Sequence, residues 1–292
     1  MVDISRLTQL CPRLEIFVNN LVVREPSWIE GLHMEINMQV LSSLHIPLQV
    51  MHFNNALRCK PRASMGSNNP YAFMKDLLIN VRVLSGAYDW LEMSMGGELI
   101  DSTDVGRTFQ HVEALSMNAY YLHPLLRLPK LRSLATGDGG QFDRASLQPF
   151  LAAHGNLLTT LDLSGTDGRS FIGATQAAAF LTPECLPVLR DLILEIGEVS
   201  RVLPYARRCS TISRLGIASR YHQASRNSYA LFARLLSPCT LAWEHFEVLR
   251  FLNDRIVVDL QTRHGAFLVR WFSPISNHGV RFEQSTGSVL PW

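Results

Sequence analysis

Cysteine is scarce in this chain. Cys11, Cys59, Cys185, Cys209 and Cys239 are five in number and widely spaced, and no Cys-x-x-Cys or Asn-x-Ser/Thr sequon occurs. An odd, scattered set argues against a disulfide-framed secreted scaffold and suits a reducing compartment with small buried thiols. Charge of one sign is missing too: 27 basic residues face 25 acidic ones, a net charge of +2. A balance of that kind is no footprint for a polyanion, so nucleic acid is not an expected partner. No apolar run approaches the roughly 18 residues of a membrane span. The first residues, "MVDISRLTQLCPRLEIF", carry an acid and lack a long apolar core, so they do not read as a signal peptide. The expected location is cytoplasmic or nuclear.

Catalytic motifs are lacking as well. There is no His-Glu-x-x-His, no Gly-x-Gly-x-x-Gly, no Gly-x-x-x-x-Gly-Lys-Ser/Thr and no Gly-x-Ser-x-Gly. "SMGGEL" and "TGDGGQF" are glycine-containing turns without phosphate-cradle spacing. Cys185 or Cys209 could be paired on paper with His154 or His222, but no local motif supports a thiol dyad. His111, His123 and His154 read as structural or surface histidines. No metal, cofactor or catalytic residue is expected.

What the chain has is a repeat. "NLLTTLDLSG" sets Leu158, Leu161 and Leu163 in the order Leu-x-x-Leu-x-Leu. The same apolar-x-x-apolar phrase recurs with second anchors at Phe17, Met51, Leu91, Leu115, Leu134, Leu161, Leu192, Leu215 and Leu249. The composition is 47% hydrophobic, so some matches are expected by chance. Most matches fill the third apolar position, however, and "LPKLRSL", "CLPVLRDL" and "CPRLEIF" place a proline shortly before the first anchor. Helical patterns fill several gaps. In "NPYAFMKDLLINVRVL", Phe73, Leu77, Val81 and Leu84 fall at helical spacing behind Asn69 and Pro70. "DRASLQPFLAAHG" puts Leu147, Phe150 and Leu151 on one face between Asp143 as cap and Gly155 as stop. "EVSRVLPYARRC" groups Val199, Val202, Leu203 and Ala206, with Pro204 expected to kink or delay the helix. "NSYALFARLL" groups Tyr229, Phe232, Ala233 and Leu236 behind Asn227 as a cap.

A helix-strand unit cannot bury both of its apolar faces alone. Stacking such units gives a parallel sheet on one side and a helical row on the other. The expected fold is therefore α/β, a leucine-rich-repeat solenoid of irregular repeats, its strands on the concave face and its helices on the convex face. An ordinary doubly wound α/β domain is the alternative. Residues 1–253 are read as the solenoid and 254–292 as an irregular C-terminal cap, in which "RIVVDLQT" and "GAFLVRWF" alternate like a closing hairpin around Arg263-His264-Gly265. No comparable cap precedes Leu7, so an open N-terminal edge is expected, with a chain that is marginally stable or self-associating.

The phrases "LTQLCPRLEIF", "LRLPKLRSLATGD", "LLTTLDLSG" and "CLPVLRDLIL" resemble the irregular leucine-rich repeats of F-box proteins, particularly the large fungal families. The resemblance covers about residues 7–252. It implies substrate recognition for a cullin-type ubiquitin ligase, in which an F-box binds the Skp-type adaptor and the repeats present the substrate. The first unit begins at Leu7, which leaves no room for an F-box ahead of it, so adaptor binding is implied only if one lies upstream.

A protein or peptide ligand is the expected partner, held on the concave face. Side chains alternate along a strand, so the residues flanking each anchor should form that face: His52, Asn54, Trp90, Glu92, Ser116, Asn118, Thr160, Asp162, Asp191, Glu195, Arg214 and Arg250. Trp90 beside Glu92 reads either as an exposed interface anchor or as a side chain packed under a loop. Acids gather from Glu92 to Glu195 and arginines follow, a polarity suited to a ligand of basic character or to plain solvation. Two loops, 54–70 and 219–227, read as polar and exposed. An α/β enzyme and a truncated gene remnant are the other readings of the chain.

Overall fold

The computed structural model describes residues 16–19, 48–53, 80–85, 109–117, 122, 127–136, 144–165, 174–219, 226–236, 243 and 245–291. The chain divides into two compact units, Met1–Leu131 and Arg132–Trp292.

The first unit contains β1 (Ile16–Asn19), β2 (Val50–Phe53), β3 (Val83–Ser85) and β4 (Ala114–Met117), each parallel to the next. The anchors meet in register: Phe17 opposite Met51, Met51 opposite Leu84, and Leu84 opposite Leu115. Met51, Leu84 and Leu115 are all buried, as are the first anchors Leu48, Val81 and Val112. This corrects the helix expected to run through Val81 and Leu84. A spacing of three residues fits a helix face and a rung equally. The Gln49 carbonyl decides between them by accepting the Arg82 and Val83 N–H groups at 2.8 and 3.0 Å. Leu84, which the sequence assigned to a helix, anchors this rung, and Leu91 lies outside the described residues.

The second unit contains β5 (Ser133–Thr136), α1 (Arg144–His154), β6 (Thr160–Asp162), α2 (Ala174–Phe180), β7 (Asp191–Glu195), α3 (Val199–Ala206), β8 (Arg214–Ala218), α4 (Arg226–Leu236), β9 (Val248–Phe251), α5 (Asp254–Arg263), α6 (Gly265–Ser276) and β10 (Arg281–Glu283). From β5 to β10 each strand is parallel to the next, and Leu134, Leu161, Leu192, Leu215, Leu249 and Phe282 run in register across these strands. Strand order follows chain order in each unit. A doubly wound domain would instead reverse its order at a switch point. What is shown is an α/β arrangement of parallel strands and helices, compatible with a solenoid.

One backbone device builds these rungs. Ahead of β4 to β9, the N–H of the first anchor donates to a carbonyl three residues back: Val112 to Phe109, Leu131 to Leu128, Leu158 to Gly155, Leu189 to Leu186, Ile212 to Cys209 and Phe246 to Trp243, all at 3.1–3.4 Å. Pro129 and Pro187 stand at the second position of this turn, where a fixed φ costs nothing. Within the rung, the residue after the first anchor offers its carbonyl to two successive N–H groups of the next rung. Arg132 accepts from Thr159 and Thr160, Thr159 from Arg190 and Asp191, Arg190 from Ser213 and Arg214, and Ser213 from Glu247 and Val248. Arg82 does the same for Glu113 and Ala114 in the first unit.

The helices pack in sequence, α1 on α2, α2 on α3, α3 on α4 and α4 on α6, with α5 beside α6. They bury the expected stripes: Leu147, Phe150 and Leu151 on α1, Val199, Val202, Leu203 and Ala206 on α3, and Tyr229, Phe232, Ala233 and Leu236 on α4. Pro204 lies inside α3. Asn227 is inside α4, which begins at Arg226, so it is not the cap expected there. Gly155 ends α1 for a reason other than left-handed backbone: a Cβ there would overlap the Cys185 carbonyl oxygen.

The closing hairpin around Arg263-His264-Gly265 is not formed, because both of its supposed strands are helices. Alternation required Ile256, Val258 and Leu260 to share a face, yet Val258 is 55% exposed and Val257 is buried. Ile256, Val257 and Leu260 make a helical stripe, and Leu268, Phe272 and Ile275 make another. Asn253 caps α5 by accepting the Arg255 N–H at 2.8 Å and donates to the Ser219 carbonyl at 2.9 Å. A further rung, β10, then pairs with β9.

Candidate binding face

From β2 onward the anchors are buried, so the alternate residues form the other face of the strands. In the first unit His52 stands in register with Ser85, and Ser85 with Ser116, a polar row of half-buried side chains. Ser85 was missed because its rung had been read as helix. Asn54, Trp90, Glu92 and Asn118 lie outside the described residues, as do loop 54–70 and most of loop 219–227.

In the second unit two rows cross the face. Ser133, Thr160, Asp191, Arg214, Val248 and Arg281 form one, and Ala135, Asp162, Ile193, Gly216, Arg250 and Glu283 the other. The structure thus brings Thr160, Asp162, Asp191, Arg214 and Arg250 together, as the repeat implied. Thr160 Oγ1 donates to Asp191 Oδ2 at 3.3 Å, and Arg214 Nη1 lies 3.6 Å from Asp191 Oδ1. One ladder therefore links three adjacent strands. Asp162 is occupied differently. Its Oδ1 accepts both the N–H and the Oγ of Ser164, at 2.8 and 2.6 Å, and holds the turn that leaves β6. Glu195 is a correction of another kind: it is 2% exposed, so it is not presented to a ligand.

Sequence reasoning missed Arg281 and Glu283, which sat in the supposed cap. Arg250 donates through Nε and Nη2 to Glu283 Oε2, at 2.9 and 2.6 Å, and Arg281 Nη2 lies 3.8 Å from Glu283 Oε1. One carboxylate orients two guanidinium groups. The signal was present in "GVRFEQ", where Phe282 holds the anchor position. Between the charged ends the face is closed. A Cβ on Gly216 would lie 2.8 Å from Ile193 Cγ1 and 3.2 Å from Leu252 Cδ1, so these side chains roof that glycine.

Neither of the two described thiols, Cys185 and Cys209, is activated as a nucleophile. Burial raises the pKa of Cys185, and burial together with the charges of Cys185 and Glu184 pushes Cys209 up to about 11. A nucleophilic cysteine needs the opposite shift. Burial and the hydrogen bond to Asp259 raise the pKa of Tyr229, whose hydroxyl donates to Asp259 Oδ2 at 3.0 Å. Among the described residues no group of His, Cys, Asp and Glu is arranged to hold a metal, and no helix is long and apolar enough to cross a membrane. No protein-family model matches the chain, and no curated protein matches its sequence.

Proposed function

We propose that this chain is a non-catalytic protein-binding module, a leucine-rich-repeat solenoid akin to the substrate-recognition region of an F-box protein. The observation that carries the reading is the in-register face of the second unit, where Thr160, Asp191, Arg214 and Arg250 come from successive rungs of one backbone ladder. Thr160, Asp191 and Arg250 are half-exposed and Arg214 is exposed, so the rungs differ where a ligand would read them. Rigid strands hold polar groups at fixed spacing, the arrangement from which protein interfaces draw orientation and specificity. The sequence resemblance to F-box repeats supplies the ubiquitin-ligase setting, in the cytoplasm or nucleus.

The test is site-specific photo-crosslinking in native cells. A crosslinker at Thr160 or at Arg214 should capture one reproducible protein, and a crosslinker at Leu231, exposed on α4, should not. Co-capture of cullin-ligase components would support the ligase setting. Equal capture from Leu231, or capture from neither face, would remove the proposal.

A further inference from the structure

The Arg-rich end of this face has a polarity that its formal charges hide. In the described ion pairs on the sheet face from β7 to β10, the carboxylate is the covered member and the guanidinium is the open one. Side-chain exposure is 56% for Arg214 against 29% for Asp191, 40% for Arg250 against 8% for Glu283, and 61% for Arg281. An approaching molecule therefore meets guanidinium groups. They are fixed in place: Glu283 holds Arg250 and Arg281, Asp191 pairs with Arg214, and the turn carrying Gly287 (φ +84°) passes beside Arg250 Nη2. Each guanidinium has five N–H donors. Arg250 spends two on Glu283, leaving donors on the open side. Arg214 and Arg281 share one row with the buried Val248 between them, and Arg250 stands one row on. The three span two strand spacings, about 10 Å. All cations of the second unit are arginine, since no lysine follows Lys130. Arginine is the side chain whose planar fork matches a carboxylate in bidentate geometry.

We infer that the face formed by β8, β9 and β10 docks an acidic segment of a protein partner, its Asp or Glu carboxylates received by Arg214, Arg250 and Arg281. The inference rests on the protein-binding reading and names the chemistry of the partner. It reverses the basic ligand that the formal charges suggested, because Asp162 is engaged by Ser164, Glu195 is buried, and Asp191 and Glu283 lie beneath their arginines.

The full chain would be titrated into a fluorescein-labelled oligoglutamate peptide, with oligolysine as the opposite probe. Binding to oligoglutamate alone, weakening as salt is raised, is expected. Arg214→Gln with Arg281→Gln removes the two most open guanidinium groups and should weaken binding roughly tenfold. Arg208→Gln with Arg270→Gln removes the same charge elsewhere and should change binding less than about twofold. Equal losses in the two double variants, preference for oligolysine, or no oligoglutamate binding would overturn the inference. Displacement of the peptide by inorganic phosphate but not by glutarate would also overturn it, in favour of a phosphorylated ligand. If crosslinks from Thr160 and Arg214 still capture a partner after such a failure, the protein-binding reading survives; if they capture none, both fall.

Discussion

Asp191 and Leu192 are neighbours on β7, yet they belong to opposite faces of one sheet. Leu192 is fully buried in a row that runs from Leu134 to Phe282 with hardly a change of chemistry. Asp191 sits in a row that reads Ser, Thr, Asp, Arg, Val, Arg. The backbone ladder is common to both. Uniformity on the covered face follows from packing, because each anchor must fill the same space between strand and helix. Diversity on the other face is allowed because solvent accepts any polar group. It is there that one rung can differ from the next without cost to the fold.

Substitutions at these neighbouring positions should separate the two faces. Leu192→Ala leaves a cavity in the covered face and should cost about 2–5 kcal/mol, read from the urea midpoint. Gly155→Ala sets a Cβ against the Cys185 carbonyl, where the backbone must move, and should cost about 1–3 kcal/mol in the same assay. On the open face, Arg250→Ala takes the closest partner from the buried Glu283 carboxylate. A loss of about 1–2 kcal/mol is expected, larger than for Arg281→Ala, whose contact is 3.8 Å long. Asp191→Asn removes only a half-exposed pair and should cost less than about 1 kcal/mol. If Asp191→Asn destabilised the chain as much as Leu192→Ala, the division of labour between the faces would be refuted.

A pH dependence is expected as well. The Cys209 thiol ionises at about 11 in the folded chain and at roughly 8.5 when unfolded. As pH rises, the unfolded state loses this proton first and the folded state keeps it. The contribution to stability is therefore full below roughly pH 8.5 and is lost on the way to about 11. Urea midpoints at pH 8 and pH 10 should differ more for the native chain than for Cys209→Ala. Equal differences would show that this thiol does not take part.

Where the sequence was read correctly, the rung left a mark that composition could not blur. "LRSL", "LTTL", "LRDL" and "ISRL" each repeat an anchor pair beside a turn, and each leads into a strand. Where it was read wrongly, two structures shared one pattern. Val81 and Leu84 satisfy a helix face and a rung alike, and only pairing with Gln49 separates them. "RIVVDLQT" alternates on paper, but Val257 rather than Val258 faces the core. The site suffered from the same ambiguity. Thr160, Asp191, Arg214 and Arg250 followed from the anchors, whereas Arg281 and Glu283 were lost with the misread hairpin. Nothing local in "DLILE" shows that Glu195 is covered, since burial of a strand end depends on segments distant in sequence.

By itself the sequence determined the spacing of the anchors, and with it the parallel strands and the alternation that sorts side chains onto two faces, because the period of an apolar pattern is a local property of the chain. Tertiary structure alone decided which polar groups remain open. Asp162 is turned to Ser164, Glu195 is buried, and one Glu283 carboxylate gathers Arg250 and Arg281. Exposure and ion pairing are set by residues that meet across strands, and formal charge along the chain carries no record of those meetings.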